Sequence, residues 1–173
     1  SEMCIRDSYK TSADIIGNVN YLYRDGAPDK MGNMTGAYRG SSLSVMNMVT
    51  GYFVNEYEGQ EVDCSYARQL TRQDFTQSCC NYLTNDTWKS CYKSINVANA
   101  VIKYVDGVEM DNQAQYKAEA RFFRALNYFY LVKMFGDVPM VTEPTEDATL
   151  VEYPTRTAAS EVFNTVIILS LIH

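Results

Sequence analysis

Hydrophobic positions recur most regularly between Asp111 and Phe135. Phe122, Ala125, Phe129 and Val132 form one row at helical spacing, and Phe123, Leu126, Tyr130 and Met134 form the next. Arg121, Arg124 and Tyr128 fall on the other side. This is the signature of a helix of about seven turns with one broad apolar face, too wide for a single neighbour. Asp111 is the expected N-terminal cap, because its carboxylate can accept from the unpaired amides of the first turn. Gly136 is the expected stop, since glycine reaches the left-handed backbone that ends helices, and Pro139 follows soon after.

A second regular pattern precedes it. Trp88, Cys91, Tyr92, Ile95, Ala98, Asn99 and Ile102 share a face, which predicts a helix over 87–106, capped by Asn85 or Asp86 and stopped by Gly107. Trp88 reads as a wedge between helices rather than a binding platform. Asn96 and Asn99 are costly inside a helix unless their amides bridge neighbouring backbone. Only residues 107–110 separate this helix from the next, and so short a link makes the two antiparallel neighbours. Such a hairpin, about 45 residues long, exceeds a minimal tetratricopeptide unit and cannot bury its apolar face alone.

The remaining pattern is weaker. Ile15, Ile16, Val19, Leu22 and Tyr23 predict a helix over 11–24, capped by Thr11 or Ser12 and stopped by Asp25-Gly26-Ala27-Pro28. Leu43, Met46, Val49 and Phe53 suggest another over 42–53, although Thr50 and Gly51 lower its propensity. After Pro139 the chain reads as extended to Tyr153. A last helix over 158–168 has Val162, Phe163, Val166 and Ile167 on its buried side.

Between Asn55 and about Thr84 lies a long polar connection, and connections of that length are usually functional or unstructured. Asn55, Tyr57, Tyr66, Arg68 and Gln69 are its candidate ligand-binding residues. Tyrosine rings can stack on the apolar face of a pyranose while amides and guanidinium groups bond its hydroxyls. The same composition equally suits a solvated excursion. Glu56, Glu58, Glu61 and Asp63 offer hard oxygen ligands, but without the glycine-punctuated spacing of a calcium loop, so no metal is expected.

Composition narrows the function. The 173-residue chain is 46% hydrophobic, enough for a core, and its net charge of −6 argues against nucleic acid, which needs basic patches. No apolar run reaches the ~18 residues of a membrane span. The odd number of cysteines, Cys4, Cys64, Cys79, Cys80 and Cys91, defines no disulfide framework, and Cys91 reads as a small core residue. No phosphate loop, nucleophile elbow or zinc helix occurs, and the single histidine, His173, ends the chain. An enzyme is not expected, and neither is a cofactor.

The two regular segments carry a resemblance. Ala118 to Val132, reading Ala-Glu-Ala-Arg-Phe-Phe-Arg-Ala-Leu-Asn-Tyr-Phe-Tyr-Leu-Val, with Phe135-Gly136-Asp137-Val138-Pro139 after it, resembles the signature helix of the SusD/RagB family. Trp88, Tyr92, Ile95, Ala98 and Asn99 resemble the landmarks of that family's preceding helix, and Ser160 to Ile167 the start of the next. The resemblance implies an all-α fold of tetratricopeptide-like hairpins. It implies a surface-exposed, lipid-anchored outer-membrane protein that captures oligosaccharides, in some members peptides, for a SusC-like TonB-dependent β-barrel transporter. The matching residues are scaffold, so no ligand contact carries over. A tetratricopeptide-like scaffold for protein–protein interaction is the alternative. Residues 1–8 and 169–173 resemble translated adapter sequence, leaving 9–168 as the expected SusD-like part, without its lipid anchor.

Overall fold

A computed structural model describes residues 9–23, 49–52, 72–73, 78–146 (side chains from Thr87 onward) and 154–168. The expected non-native ends, 1–8 and 169–173, lie outside them. The chain divides into two compact units, Ser1–Ala27 with Cys91–His173, and Pro28–Ser90.

The first unit is helical. Helix α1 (Ser12–Tyr23) begins with a reciprocal cap. The Asp14 amide donates to Thr11 Oγ1 at 3.2 Å, and the Thr11 amide donates to Asp14 Oδ2 at 2.8 Å. Two free amides are thereby paired as in a capping box. Bonds from the Thr11 hydroxyl and then its amide hold the Asp14 carboxyl below its ordinary pKa. Ile15, Val19 and Leu22 are buried as the periodicity predicts, while Tyr23 turns outward.

Helix α2 (Ser78–Tyr104) starts nine residues before the expected Thr87. Asn85 and Asp86 therefore lie inside it and do not cap it. From Ser78 to Asp106 there is no glycine or proline to interrupt the ladder, and a polar stretch alone does not end a helix. Cys91, Ile95, Ala98 and Val101 form its buried stripe. Trp88 is half-buried. A 3-10 turn, Val105–Gly107, ends the rod.

Helix α3 (Gln113–Phe135) also starts differently from expectation. Asn112, not Asp111, takes the cap position, at φ 61 and ψ 28, with no side-chain cap. Asparagine tolerates this left-handed backbone better than most residues. The Gln113 side-chain amide instead reaches back to the carbonyls of Val105 and Val108, which fastens the link between the rods. At the other end Gly136 stops the helix as expected, at φ 71, with its amide donating to Val132 O at 3.0 Å.

Within the first unit, from Cys91 onward, α2 is antiparallel to α3. The Tyr92 and Tyr128 rings meet edge to face at 6.4 Å, Arg124 donates to Asn99 Oδ1 at 3.1 Å, and Lys117 pairs with Asp106. As the position rises in one helix it falls in the other. Helix α1 is likewise antiparallel to α2, through Tyr9 stacked on Tyr104 at 5.6 Å and Lys93 over the Tyr21 ring at 5.7 Å.

Beyond Gly136 comes a two-residue ladder, β1 (Val138–Pro139) with β2 (Arg156–Thr157), antiparallel in the register Val138 to Thr157 and Pro139 to Arg156. It is too short to leave a period in the sequence. One turn of α-helix, α4 (Ala159–Val162), then continues as a π-helix, Phe163–Ile168. Val162, Val166 and Ile167 are buried, and Phe163 meets Phe129 of α3 at 6.3 Å.

Two residues of α3 contradict the face assigned from periodicity. Phe122 is 47% exposed, although it belongs to an apolar row. Tyr128, placed among the polar residues, is fully buried. The reason lies after the helix, where the segment 139–146 folds back and covers Tyr128.

In the second unit, Val49–Tyr52 form a turn and bend, with Gly51 at φ +76, where a helix over 42–53 was expected. The rest of that expected helix lies outside the described residues.

Candidate functional site

Side chains of α2 and α3 converge on the segment 139–146. The Tyr92 hydroxyl donates to Pro139 O at 2.7 Å. The Tyr128 hydroxyl donates to Val141 O at 2.9 Å and accepts the Val141 amide at 2.6 Å, so one phenol closes both polar groups of a residue. Asn99 Nδ2 donates to Val141 O at 3.0 Å and Glu143 O at 3.3 Å, and Asn96 Oδ1 accepts the Thr145 amide at 2.8 Å. The bridging role expected of the two mid-helix asparagines is thus realised. Lys103 and Tyr104 close the row on Glu146.

The electrostatics follow from burial. Tyr128 is pushed from 10.0 up to about 12 by desolvation, partly offset by the Val141 amide and the Arg124 charge. Tyr92 is raised further, first by burial and then by its neighbours Tyr128 and Cys91. Both therefore stay neutral and can donate. Desolvation lowers the Arg124 guanidinium, with Arg121 adding to the effect and Tyr128 and Glu143 opposing it.

This network explains the Phe-Gly-Asp-Val-Pro string as architecture. Gly136 ends α3, Val138 is buried and pairs with Thr157, and the Pro139 carbonyl takes the Tyr92 hydroxyl. Asp137 Oδ1 accepts the Ala159 amide at 2.9 Å, capping α4 from across the ladder. Ala158, at the cap position itself, has no side-chain oxygen to do so. Each of these residues holds backbone.

The candidate binding residues are elsewhere. Asn55, Tyr57, Tyr66, Arg68 and Gln69 lie outside the described residues, as do the acidic Glu56, Glu58, Glu61 and Asp63. The described residues at either end of that stretch are two turns, 49–52 and 72–73. Gln73 Nε2 donates to Val49 O at 3.3 Å and so ties the turns together. Tyr52, on the first turn, is 88% exposed. It is not among the residues singled out from the sequence. Gly51 beside it was the available signal, because glycine there breaks a helix and presents its neighbour on a turn. Among the described residues, no group of three or more His, Cys, Asp or Glu is placed to hold a metal ion, and no helix is long and apolar enough to cross a membrane.

Comparison with known proteins gives the context of this scaffold. A solved SusD superfamily protein from Parabacteroides distasonis superposes over 91% of this chain with a TM-score of 0.64 at 22% identity, a likeness of fold. The chain spans 32% of that protein. SusD-like protein P25 of Formosa agariphila is 41% identical over 63 residues, 35% of this chain and 12% of its own length. SusD-like protein P2 of the same organism is 24% identical over 161 residues, 92% of this chain and 30% of its own length. The chain therefore spans less than a third of each curated relative. A family model described as SusD-like, "Starch-binding associating with outer membrane", matches residues 28–168. With that match covering most of its length, and an antiparallel helical hairpin where the family signature falls, this chain belongs to the SusD-like family.

Proposed function

We propose that this chain is part of a lipid-anchored, surface-exposed outer-membrane protein that captures a glycan without cleaving it and passes it to a SusC-like TonB-dependent transporter. The observation that carries this reading is the family match over residues 28–168, whose description joins starch binding to the outer membrane. The geometry supports it. The described polar groups of the hairpin fasten a rigid frame, the kind of scaffold from which loops present binding residues. Asn55, Tyr57, Tyr66, Arg68 and Gln69 are the proposed ligand contacts.

Isothermal titration against a panel of oligosaccharides, with product analysis of the same mixtures, tests the reading. Binding without turnover supports it, and released product overturns the non-catalytic part. Replacing Tyr57 or Tyr66 with Ala weakens binding, and unchanged affinity in both removes the assignment of this stretch. A second reading, a protein-binding scaffold, draws on the exposed aromatic rings of Tyr23 and Phe122, 56% and 47% open to solvent, each against Phe123. Absence of any glycan binding would favour it.

A further inference from the structure

The two turns of the Pro28–Ser90 unit form a small, fastened platform. Gln73 and Val49 are 24 positions apart, and the 3.3 Å bond between them sets residues 72–73 beside the turn that carries Tyr52. The Tyr52 amide donates to Thr50 Oγ1 at 3.3 Å, which fixes the turn from its other side. Gln73 holds φ 55, a left-handed backbone at a residue that is not glycine. Such residues are uncommon, and they gather at binding sites and switches, where surrounding structure holds them in place.

On this platform stands a ring that is 88% exposed. A tyrosine so placed contributes almost nothing by burial, since its value to a core comes from the ~150–250 Å² it can remove from water. Its flat face is suited to an apolar, equally flat surface arriving from solution. The C–H face of a pyranose has that character, and its rim of hydroxyls then needs polar partners. Arg72 is exposed on the adjoining turn, with five N–H donors in a fixed fork.

We propose that Tyr52 is a stacking platform for one sugar ring of a bound oligosaccharide, with Arg72 donating to that sugar's hydroxyls. This inference rests on the glycan-binding reading and adds to it a contact at the foot of the candidate stretch. Gln73 is a positioning residue: its side chain holds the second turn against the first.

Titration of the 173-residue chain with maltoheptaose, cellohexaose, xylohexaose and laminarihexaose tests the proposal. For whichever oligosaccharide binds, Tyr52→Ala weakens affinity roughly three- to tenfold, the range expected for loss of one stacked ring. Tyr52→Phe and Tyr52→Trp, which keep a flat face, stay within about twofold of the parent chain. Arg72→Ala weakens binding, and all four variants keep the parent's melting temperature, because neither side chain is buried. If the parent binds and Tyr52→Ala binds equally well, this inference falls while the glycan reading stands. If Phe and Trp fail to restore what Ala removes, stacking is the wrong mechanism. If the parent binds none of the four sugars, both fall together.

Discussion

Tyr128 shows none of its surface to water, and Tyr52 shows 88% of it. The side chains are identical and so are their chemical options, an apolar ring with a polar tip. At position 128 the ring fills the hairpin, and its hydroxyl serves both backbone groups of Val141. At position 52 the ring stands on a turn and meets solvent. The difference lies in what the chain does next. After Tyr128 the segment 139–146 returns across the helix, whereas Tyr52 follows a glycine that turns it out. A family signature built on residues of the first kind reports on the frame. It says little about the ligand.

The largest effect expected from this contrast is on stability. Tyr128→Ala should cost about 3–5 kcal/mol, the usual range for emptying a buried aromatic site, and it also takes the phenol away from the Val141 amide and leaves the Val141 carbonyl to Asn99. Tyr52→Ala should stay within about 0.5 kcal/mol, as exposed positions generally do. Urea unfolding of the two variants against the parent measures both. Equal losses at the two positions would break the comparison.

Next comes a dependence on alkaline pH. In the folded chain burial disfavours the phenolate and pushes the Tyr128 hydroxyl from 10.0 up to about 12. The unfolded chain loses this proton near its ordinary pKa while the folded chain keeps it. The stabilisation is therefore complete below pH ~10 and is lost as pH rises from ~10 to ~12. For a rise of this size the limit is roughly 3 kcal/mol. Tyr9, raised to about 12 by burial and by the neighbouring Tyr104, acts in the same direction. Melting temperature should be level up to pH ~10 and fall beyond it. The fall should be shallower in Tyr128→Phe, and an equally steep fall in that variant would remove Tyr128 as its source.

Asn99→Ala should come third, at about 1–3 kcal/mol. It removes two bonds to the returning segment and leaves the half-buried Arg124 guanidinium without its Asn99 acceptor. The loss should couple to that of Tyr128→Phe in a double-mutant cycle, since both side chains hold Val141. Additive losses would show that the segment is not held as one strap.

How much of this is legible without the structure differs along the same line. The hairpin follows from periodicity and from Gly107 and Gly136, and Asn96 and Asn99 announce bridging because amides inside a helix need partners. The all-α fold and the family follow from those same residues. The burial of Tyr128 does not, because it depends on a segment with no repeat of its own that contacts the helix only in three dimensions. Phe122 errs in the opposite sense, since a row on a helix becomes a core only where something covers it. The early start of α2 is hidden because capping residues mark where a helix can begin, and nothing in 78–86 forces it to wait. Of the candidate site, Asn55, Tyr57, Tyr66, Arg68 and Gln69 lie outside the described residues. Tyr52 escapes notice because the pattern around its turn reads as helix.

The smallest expected effect concerns Asp137, and it tests whether the signature's polar residue belongs to the frame. The β1–β2 register places it opposite Ala158, the cap position of α4, which has no side chain able to accept a hydrogen bond. Asp137 Oδ1 supplies the missing acceptor to the Ala159 amide at 2.9 Å. Asp137→Ala should therefore cost about 1 kcal/mol, the usual value of a helix N-cap. Asp137→Asn keeps an acceptor oxygen and gives up only the favourable charge at a helix start, so its loss should be a few tenths of that. The substitution Ala158→Ser puts a cap where the helix expects one, and in that background Asp137→Ala should become nearly silent. If Asp137→Ala instead costs as much in the Ala158→Ser background as in the parent chain, the carboxylate is held for some purpose other than starting the helix. The aspartate would then move from the side of Tyr128 to the side of Tyr52.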